Sequence, residues 1–294
     1  MSALGNRGWI TALVLLGLSL LAGVVFVLPP HRVQILPADY ERTVYSQAGE
    51  DGILEKIFEL IPPTARFCIE FGAGDGLLFS NVRKLIVHEG WGGLLIEGDG
   101  ELAEILARNY QGFPGVRTTQ AWVFPGNVEL LFEENDVPRD LDLLVIDIDS
   151  NDYYVWRAIR EYRPKVVQIE YNGVFLPPQK VVVGFHPMLW WDEESVHFGA
   201  SIQSFYELGK RKGYELVAAN EVGSNLFFVD GQYYERFGIE DNSPERLFRP
   251  FNFDPPLGPQ DLHLVMTEDG RAKPPAEDIV LDEVRIQKRF RFDR

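Results

Sequence analysis

The chain has 294 residues, 46% of them hydrophobic, which is enough for a substantial core and suits one large α/β domain with appendages better than two full domains. A formal net charge of -16 repels a phosphate backbone, and only the tail at 285–294 is locally basic, so nucleic acid is not an expected partner. The single cysteine, Cys68, sits in the apolar run Phe67-Cys68-Ile69; it reads as a buried packing thiol, and no intrachain disulfide can form.

In chain order, residues 9–28 carry no charge and end at Pro29-Pro30. About twenty residues at roughly 1.5 Å rise each span the hydrocarbon of a bilayer, so a transmembrane helix is expected within 1–30. A cleaved secretory signal is the rival reading, disfavoured by an apolar core longer than such signals use and by the lack of a clear small-x-small site. Arg7 precedes the run while Arg32 and Arg42 follow it, which leaves the charge rule for orientation nearly balanced. Residues 31–48 read as a polar, turn-rich juxtamembrane connector. The body begins at 49, where Ile53, Leu54, Ile57, Phe58 and Leu60 have helical spacing before Pro62-Pro63 stops the helix.

Short apolar strands then alternate with helices. Strands are expected over 67–71, 93–97, 116–123, 141–148 and 166–170, with helices near 81–89, 102–110 and 153–161; continuous apolar strands of this kind are buried on both faces of a parallel sheet. A helix over 201–212 leads into strands 214–219 and 226–229, joined by a turn at Gly223-Ser224-Asn225 as an antiparallel hairpin. The expected fold of 49–230 is therefore α/β and Rossmann-like: a mostly parallel seven-stranded sheet with a terminal antiparallel hairpin, which is how class I methyltransferases differ from the dinucleotide fold of six parallel strands. From Gly231 onward periodicity is weak, and 231–294 reads as an appended lid or tail. Its basic end, 284–294, reads as an edge strand or frayed tail before it reads as a lipid contact.

The segment Glu70-Phe71-Gly72-Ala73-Gly74-Asp75-Gly76 follows the first strand and precedes a helix. Its third glycine comes one residue too early for the dinucleotide fingerprint. An acid two residues before G-x-G-x-G resembles motif I of S-adenosylmethionine-dependent methyltransferases, whose ligand carries a cationic sulfonium and an amino group rather than a pyrophosphate. That resemblance implies S-adenosylmethionine as cofactor, held near Glu70, Gly72, Gly74 and Asp75. Glu97 ends the second strand about 20 residues past the glycine turn, where a carboxylate can accept both ribose hydroxyls. Asp99 is a rival for that role, or else the N-cap of the next helix. Ala121 and Trp122 close the third strand beside the expected adenine, or Trp122 is an aromatic core residue.

The fourth strand runs into Asp147-Ile148-Asp149-Ser150-Asn151-Asp152. Asp147 and Asp149 share a face in extended geometry, and three converging acids repel one another unless a proton or cation intervenes. Two chemistries follow: a divalent cation at Asp149 and Asp152, or a general base of raised pKa at Asp147 or Asp149, with Asp147 also facing the cofactor. The alternative for Asp152 is a helix cap. Glu170 ends the fifth strand on the same sheet edge as a further catalytic candidate, with Asn172 beyond it. His186 and His197 lie in the insertion that follows, with Trp190 and Trp191, where a lid would sit; His186 is a candidate base, against the commoner reading of a packed or exposed histidine.

Over 45–230 the chain resembles the FkbM-type methyltransferase-like family. The resemblance is carried by Ser46-Gln47 with Glu50-Asp51-Gly52, by 70–76, Asn81, 91–97 and 146–152, and by Gly199-Ala200-Ser201. It implies methyl transfer from S-adenosylmethionine to a hydroxyl on a sugar or other small-molecule or glycan acceptor, with Gln47 as a cofactor-side contact. One departure is that Asp149-Ser150-Asn151-Asp152 stands where the family tends to carry an acid-Gly pair. Because cells make and hold that cofactor in the cytosol, the body is expected on the cytoplasmic side of a membrane. A non-catalytic, membrane-tethered scaffold or cofactor-binding module is the alternative; a nicotinamide-dependent oxidoreductase is disfavoured by the glycine spacing and the hairpin.

Overall fold

The computed structural model describes residues 37–187 and 198–251; the expectations for the apolar run 9–28, for Trp190, Trp191 and His197, and for the basic tail lie outside the described residues. Among the described residues, no helix is long and apolar enough to cross a membrane.

Seven strands form one sheet: β1 (Phe67–Phe71), β2 (Gly92–Glu97), β3 (Val116–Gln120), β4 (Leu143–Ile146), β5 (Val166–Glu170), β6 (Tyr214–Ala219) and β7 (Asn225–Asp230). Their order is β3-β2-β1-β4-β5-β7-β6. The first five run parallel, whereas β7 is antiparallel to both β5 and β6, with a bulge between Leu216 and Ala218. This is the topology expected of a class I methyltransferase fold, mostly parallel with a reversed terminal hairpin. β1, β4 and β5 are central, mostly apolar and almost wholly buried because both faces are covered; β3 (VRTTQ) is an edge strand and alternates toward solvent.

The helices are α1 (Pro37–Tyr40), α2 (Glu50–Leu60), α3 (Arg83–Glu89), α4 (Gly100–Tyr110), α5 (Val128–Glu134), α6 (Asp152–Ala158), α7 (Ile202–Lys212) and α8 (Pro244–Leu247). Alternate strand residues feed two cores, as the two-residue period of a strand requires. Ile69, Phe71, Leu144, Ile146 and Ile169 pack with Phe132, Trp156 and Phe205 on one face. Cys68, Leu95, Leu143 and Val145 pack with Ile53, Ile57, Leu106 and Phe227 on the other.

Three details differ from expectation. β3 ends at Gln120, so Ala121 and Trp122 lie in the loop beyond it, and β4 ends at Ile146, which releases Asp147 from the ladder. α5 was not expected, although Val128, Leu131 and Phe132 have helical spacing and are buried. The described part of the last segment is folded onto the body: Asp230 caps a 3-10 turn (Gly231–Phe237), and Phe237 and Leu247 are buried. The stretch before α2 is also tied down. Both the buried Asp51 Oδ2 and the helix start are used, because the amides of Val44, Tyr45 and Ser46 all donate to that one oxygen at 2.8, 2.7 and 2.8 Å.

Asp51→Ala removes the acceptor of three amides, and we expect it to destabilise the fold by about 2 kcal/mol or more. Urea unfolding of the variant against the parent checks this, and unchanged stability would mean the 44–46 turn is held by other contacts.

Candidate functional site

The strand order reverses between β1 and β4, and in open α/β sheets ligands bind beyond the carboxyl ends of the strands at such a point. A cavity of about 640 Å³ opens there, within the size range of cofactor sites.

The loop after β1 forms its floor. Gly72 has φ 67°, and a Cβ there would lie 1.9 Å from the Asp147 carbonyl at the end of β4, so only glycine lets the two strand ends pass. Gly74 has φ 55°, but a Cβ would meet nothing within 4 Å: its bare backbone faces open space. The Gly74 amide donates to Glu97 Oε2 at 2.7 Å, and the Asp99 amide donates to Glu97 Oε1 at 2.8 Å. Glu97 is thus fixed by two amides at the tip of β2 while each oxygen keeps accepting capacity.

Of the residues expected around a cofactor, Gln47, Glu70, Gly72, Gly74 and Glu97 line this one cavity, together with Asp99, Ala121, Trp122 and Asp147. Asp75 does not. Its Oδ1 accepts from the amides of Leu77 and Leu78 at 2.8 and 2.9 Å, an Asx turn that shapes the loop from outside the cavity. Asp99 lines the cavity and is also the N-cap of α4, accepting from Glu101 and Leu102. Trp122 is half exposed, and its ring covers Gly98, where a Cβ would come within 2.6 Å. Glu70 is buried, accepting from the Ser80 hydroxyl at 2.8 Å and the Asn81 amide at 2.6 Å. Burial pushes its carboxyl up to about 7, with those two donors pulling it part of the way back.

The acids of β4 and β5 converge. One carboxylate oxygen from each of Asp147, Asp149 and Glu170 lies within 4.8 Å of the others. Asp147 and Glu170 are both held well above the usual carboxylate range, first by loss of solvent and then by the neighbouring negative charges. Asp147 and Asp149 line the cavity; Glu170 sits behind them, buried.

Asp152 departs from both of its sequence readings. It is outside that group, and the N-cap position belongs to Asn151: the two Asp152 oxygens accept from the amides of Ile148 and Ser150, each at 3.0 Å, bracing the turn that carries Asp149. Burial raises it to about 7. His186 is not part of the cavity wall either; its carbonyl accepts from Asn151 Nδ2 at 2.8 Å, and its neighbour Pro187 reaches the rim. Asn172 is used locally, accepting from the Val174 amide and donating to the Phe198 carbonyl.

Sequence reasoning assigned no site role to three buried asparagines in the wall, Asn81, Asn151 and Asn225, each with an Oδ1 that lacks a hydrogen-bond partner. Asparagine is common in turns, so composition alone gave no signal; the expectation that Asn81 opens a helix was the nearest one. Glu50 was quoted only as part of a motif. It is buried and accepts from Asn220 Nδ2 and Asn225 Nδ2 at 2.9 and 3.0 Å, fixing the β6–β7 hairpin to α2.

No family model matches the chain, and neither does any curated protein. Among solved structures it is similar to the N-terminal domain of EvdMO1 with SAH bound, at 14% identity over 64% of this chain and 82% of that one, with a TM-score of 0.43. The same domain in the presence of SAH and D-fucose gives 13%, 62%, 82% and 0.41. An S-adenosylmethionine-dependent methyltransferase from Clostridium acetobutylicum gives 9%, 75%, 97% and 0.38. Likeness this low carries nothing about chemistry, and the FkbM-type resemblance stands on its motifs alone.

Glu70 keeps its proton up to about 7 in the folded chain against 4.5 for the ordinary carboxyl. Its contribution to stability is therefore full below the unfolded value and is lost as pH rises from 4.5 to about 7, because across that window the folded state binds the extra proton. Glu70→Gln is expected to remove a decline of up to ~3 kcal/mol over this window. Denaturant unfolding of both proteins across it checks this; parallel pH curves would contradict it.

Proposed function

We propose that the chain is an S-adenosylmethionine-dependent methyltransferase that methylates a hydroxyl oxygen of a sugar or other small-molecule or glycan acceptor. The observation that carries this reading is the clasp between Gly74 and Glu97, which sets a bare backbone and an anchored carboxylate side by side at the tips of β1 and β2. A carboxylate so held suits a vicinal diol, as a ribose presents.

The rest of the wall fits the same ligand. Among the described residues, the cavity is lined by six acids, Glu50, Glu70, Glu97, Asp99, Asp147 and Asp149, and by no lysine or arginine. A pyrophosphate would be repelled there, whereas a sulfonium and an ammonium group are attracted. The unpartnered Oδ1 atoms of Asn81 and Asn225 are acceptors awaiting donors, which an ammonium supplies. Leu102, Trp122 and Phe124 offer the apolar surface that a purine ring needs.

Bound there, the cofactor supplies an electrophilic methyl group. The chain's own part is to hold the acceptor oxygen about 3 Å from that carbon, in line, and to draw off the hydroxyl proton. The converging carboxyl groups of Asp147, Asp149 and Glu170 are the acceptors we assign to that second task.

Titration calorimetry of the full chain with S-adenosylmethionine and S-adenosylhomocysteine tests the reading. We expect one site, with affinity falling about 10- to 100-fold in Glu97→Ala, the size of a lost charge-assisted pair of hydrogen bonds. Asp147→Asn is expected to keep S-adenosylhomocysteine binding while losing transfer of labelled methyl to an acceptor. Absence of binding by the parent chain, or equal binding by Glu97→Ala, would overturn the proposal.

A further inference from the structure

The parallel register of β4 and β5 pairs Ile146 with Ile169, so Asp147, just past the end of β4, and Glu170, the last residue of β5, stand at the same level. Asp149 returns to them because it adopts a left-handed conformation, φ 62°. Three carboxylate oxygens then stand within 4.8 Å of one another, and among the described residues no lysine or arginine lines the cavity that Asp147 and Asp149 face. Two further observations bear on what balances them. Glu170 is only 8% exposed, yet its Oε2 has no hydrogen-bond partner. Asn151, 4% exposed and in the wall of the same cavity, has an Oδ1 in the same condition, while its Nδ2 is spent on the His186 carbonyl. A buried oxygen without a donor is costly, and neutral hydrogen-bonded acids would not leave it so.

From this we infer that Asp147, Asp149 and Glu170 form a binding site for a hard divalent cation, with Asn151 Oδ1 as a neutral fourth ligand. All the donors are oxygens, three carboxylates and one amide, with no thiolate or imidazole among them, which selects Mg²⁺, Mn²⁺ or Ca²⁺ over softer metals. Asp152 is not a ligand; it sets the turn that delivers Asp149 and Asn151 by accepting from the amides of Ile148 and Ser150. The cation's role rests on the proposed methyl transfer: held there, it would polarise an acceptor hydroxyl and ease passage of its proton to a carboxylate oxygen of the cluster as the hydroxyl oxygen takes the methyl group and S-adenosylhomocysteine leaves. The binding itself does not depend on that reading.

The test uses Mn²⁺ alone as probe, with binding to the full chain followed by electron paramagnetic resonance. One site is expected, displaced by Mg²⁺ or Ca²⁺, with affinity reduced at least about tenfold in Asp149→Asn and in Glu170→Gln, since each removes one ligand charge. Glu104→Gln, on the exposed face of α4, is expected to bind Mn²⁺ as the parent does. A second measurement needs no variant: bound Mn²⁺ should broaden the amide resonances of Ile148, Ser150 and Tyr171 in the parent chain. No saturable Mn²⁺ binding, unchanged affinity in both acid variants, or broadening centred away from the ends of β4 and β5 would overturn the site. Calorimetry with S-adenosylhomocysteine on the same samples separates the two ideas. Retained nucleoside binding without Mn²⁺ binding removes the cation site alone, and the converse removes the cofactor reading alone.

Discussion

Two backbone amides, those of Gly74 and Asp99, converge on the Glu97 carboxylate at 2.7 and 2.8 Å, and that junction ties the tips of β1 and β2 together in the cavity wall. A carboxylate held by two amides at a strand tip is fixed in rotation as well as position, so its remaining lone pairs point in defined directions. The junction requires glycine at 72, where the Asp147 carbonyl leaves no room for a Cβ, and glycine at 74, where positive φ presents the backbone to the cavity. The Ala73 amide adds a third tie, donating to the Ile96 carbonyl at 3.1 Å. Strand order does the rest. With β1 between β2 and β4, the tip that carries Glu97 and the tip that carries Asp147 flank the same loop.

Charge is the second constraint. The cavity concentrates acids in a protein that is already strongly anionic, and such a site is stable only with protons or cations present. Glu70 answers with a proton, raised to about 7 by burial yet satisfied by Ser80 and Asn81. Asp152 answers with backbone amides. Asp147 and Glu170 are held well above the usual carboxylate range by burial and neighbouring negative charge, and Glu170 differs from Glu70 in that its Oε2 has no hydrogen-bond partner. The two halves of the cavity therefore have separate electrostatic logic: acceptors for a cationic nucleoside at β1 and β2, and a compact oxygen cluster at β4 and β5.

How much of this could be read from the chain follows from how local each feature is. The seven strands, the reversed hairpin and the glycine bend are written in short-range pattern, and apolar runs ending in Glu70, Glu97 and Glu170 located the sheet edge before any coordinate did. Side-chain direction at that edge was not local. Asp75 and Asp99 look alike beside a glycine turn, yet the first braces Leu77 and Leu78 outside the cavity and the second caps α4 within its wall. Asp152 was read as a helix cap from its position before the helix; its oxygens turn back to Ile148 and Ser150 because the strand ends two residues earlier than the apolar run suggests. α5 was overlooked because its seven residues are short and flanked by Asn127 and Asn135. The fold of 231–251 depends on contacts with residues far away in sequence, such as Asn242 Nδ2 donating to the Leu216 carbonyl, which no periodicity reveals.

The claim that the tips of β1 and β2 together grip an adenine nucleoside is tested most directly by nuclear magnetic resonance of the isotopically labelled chain titrated with S-adenosylhomocysteine. The account predicts that the amide signals of Gly74, Gly98, Asp99 and Trp122 shift together and saturate at one equivalent. Shifts confined to other residues, or none at ligand excess, would contradict it.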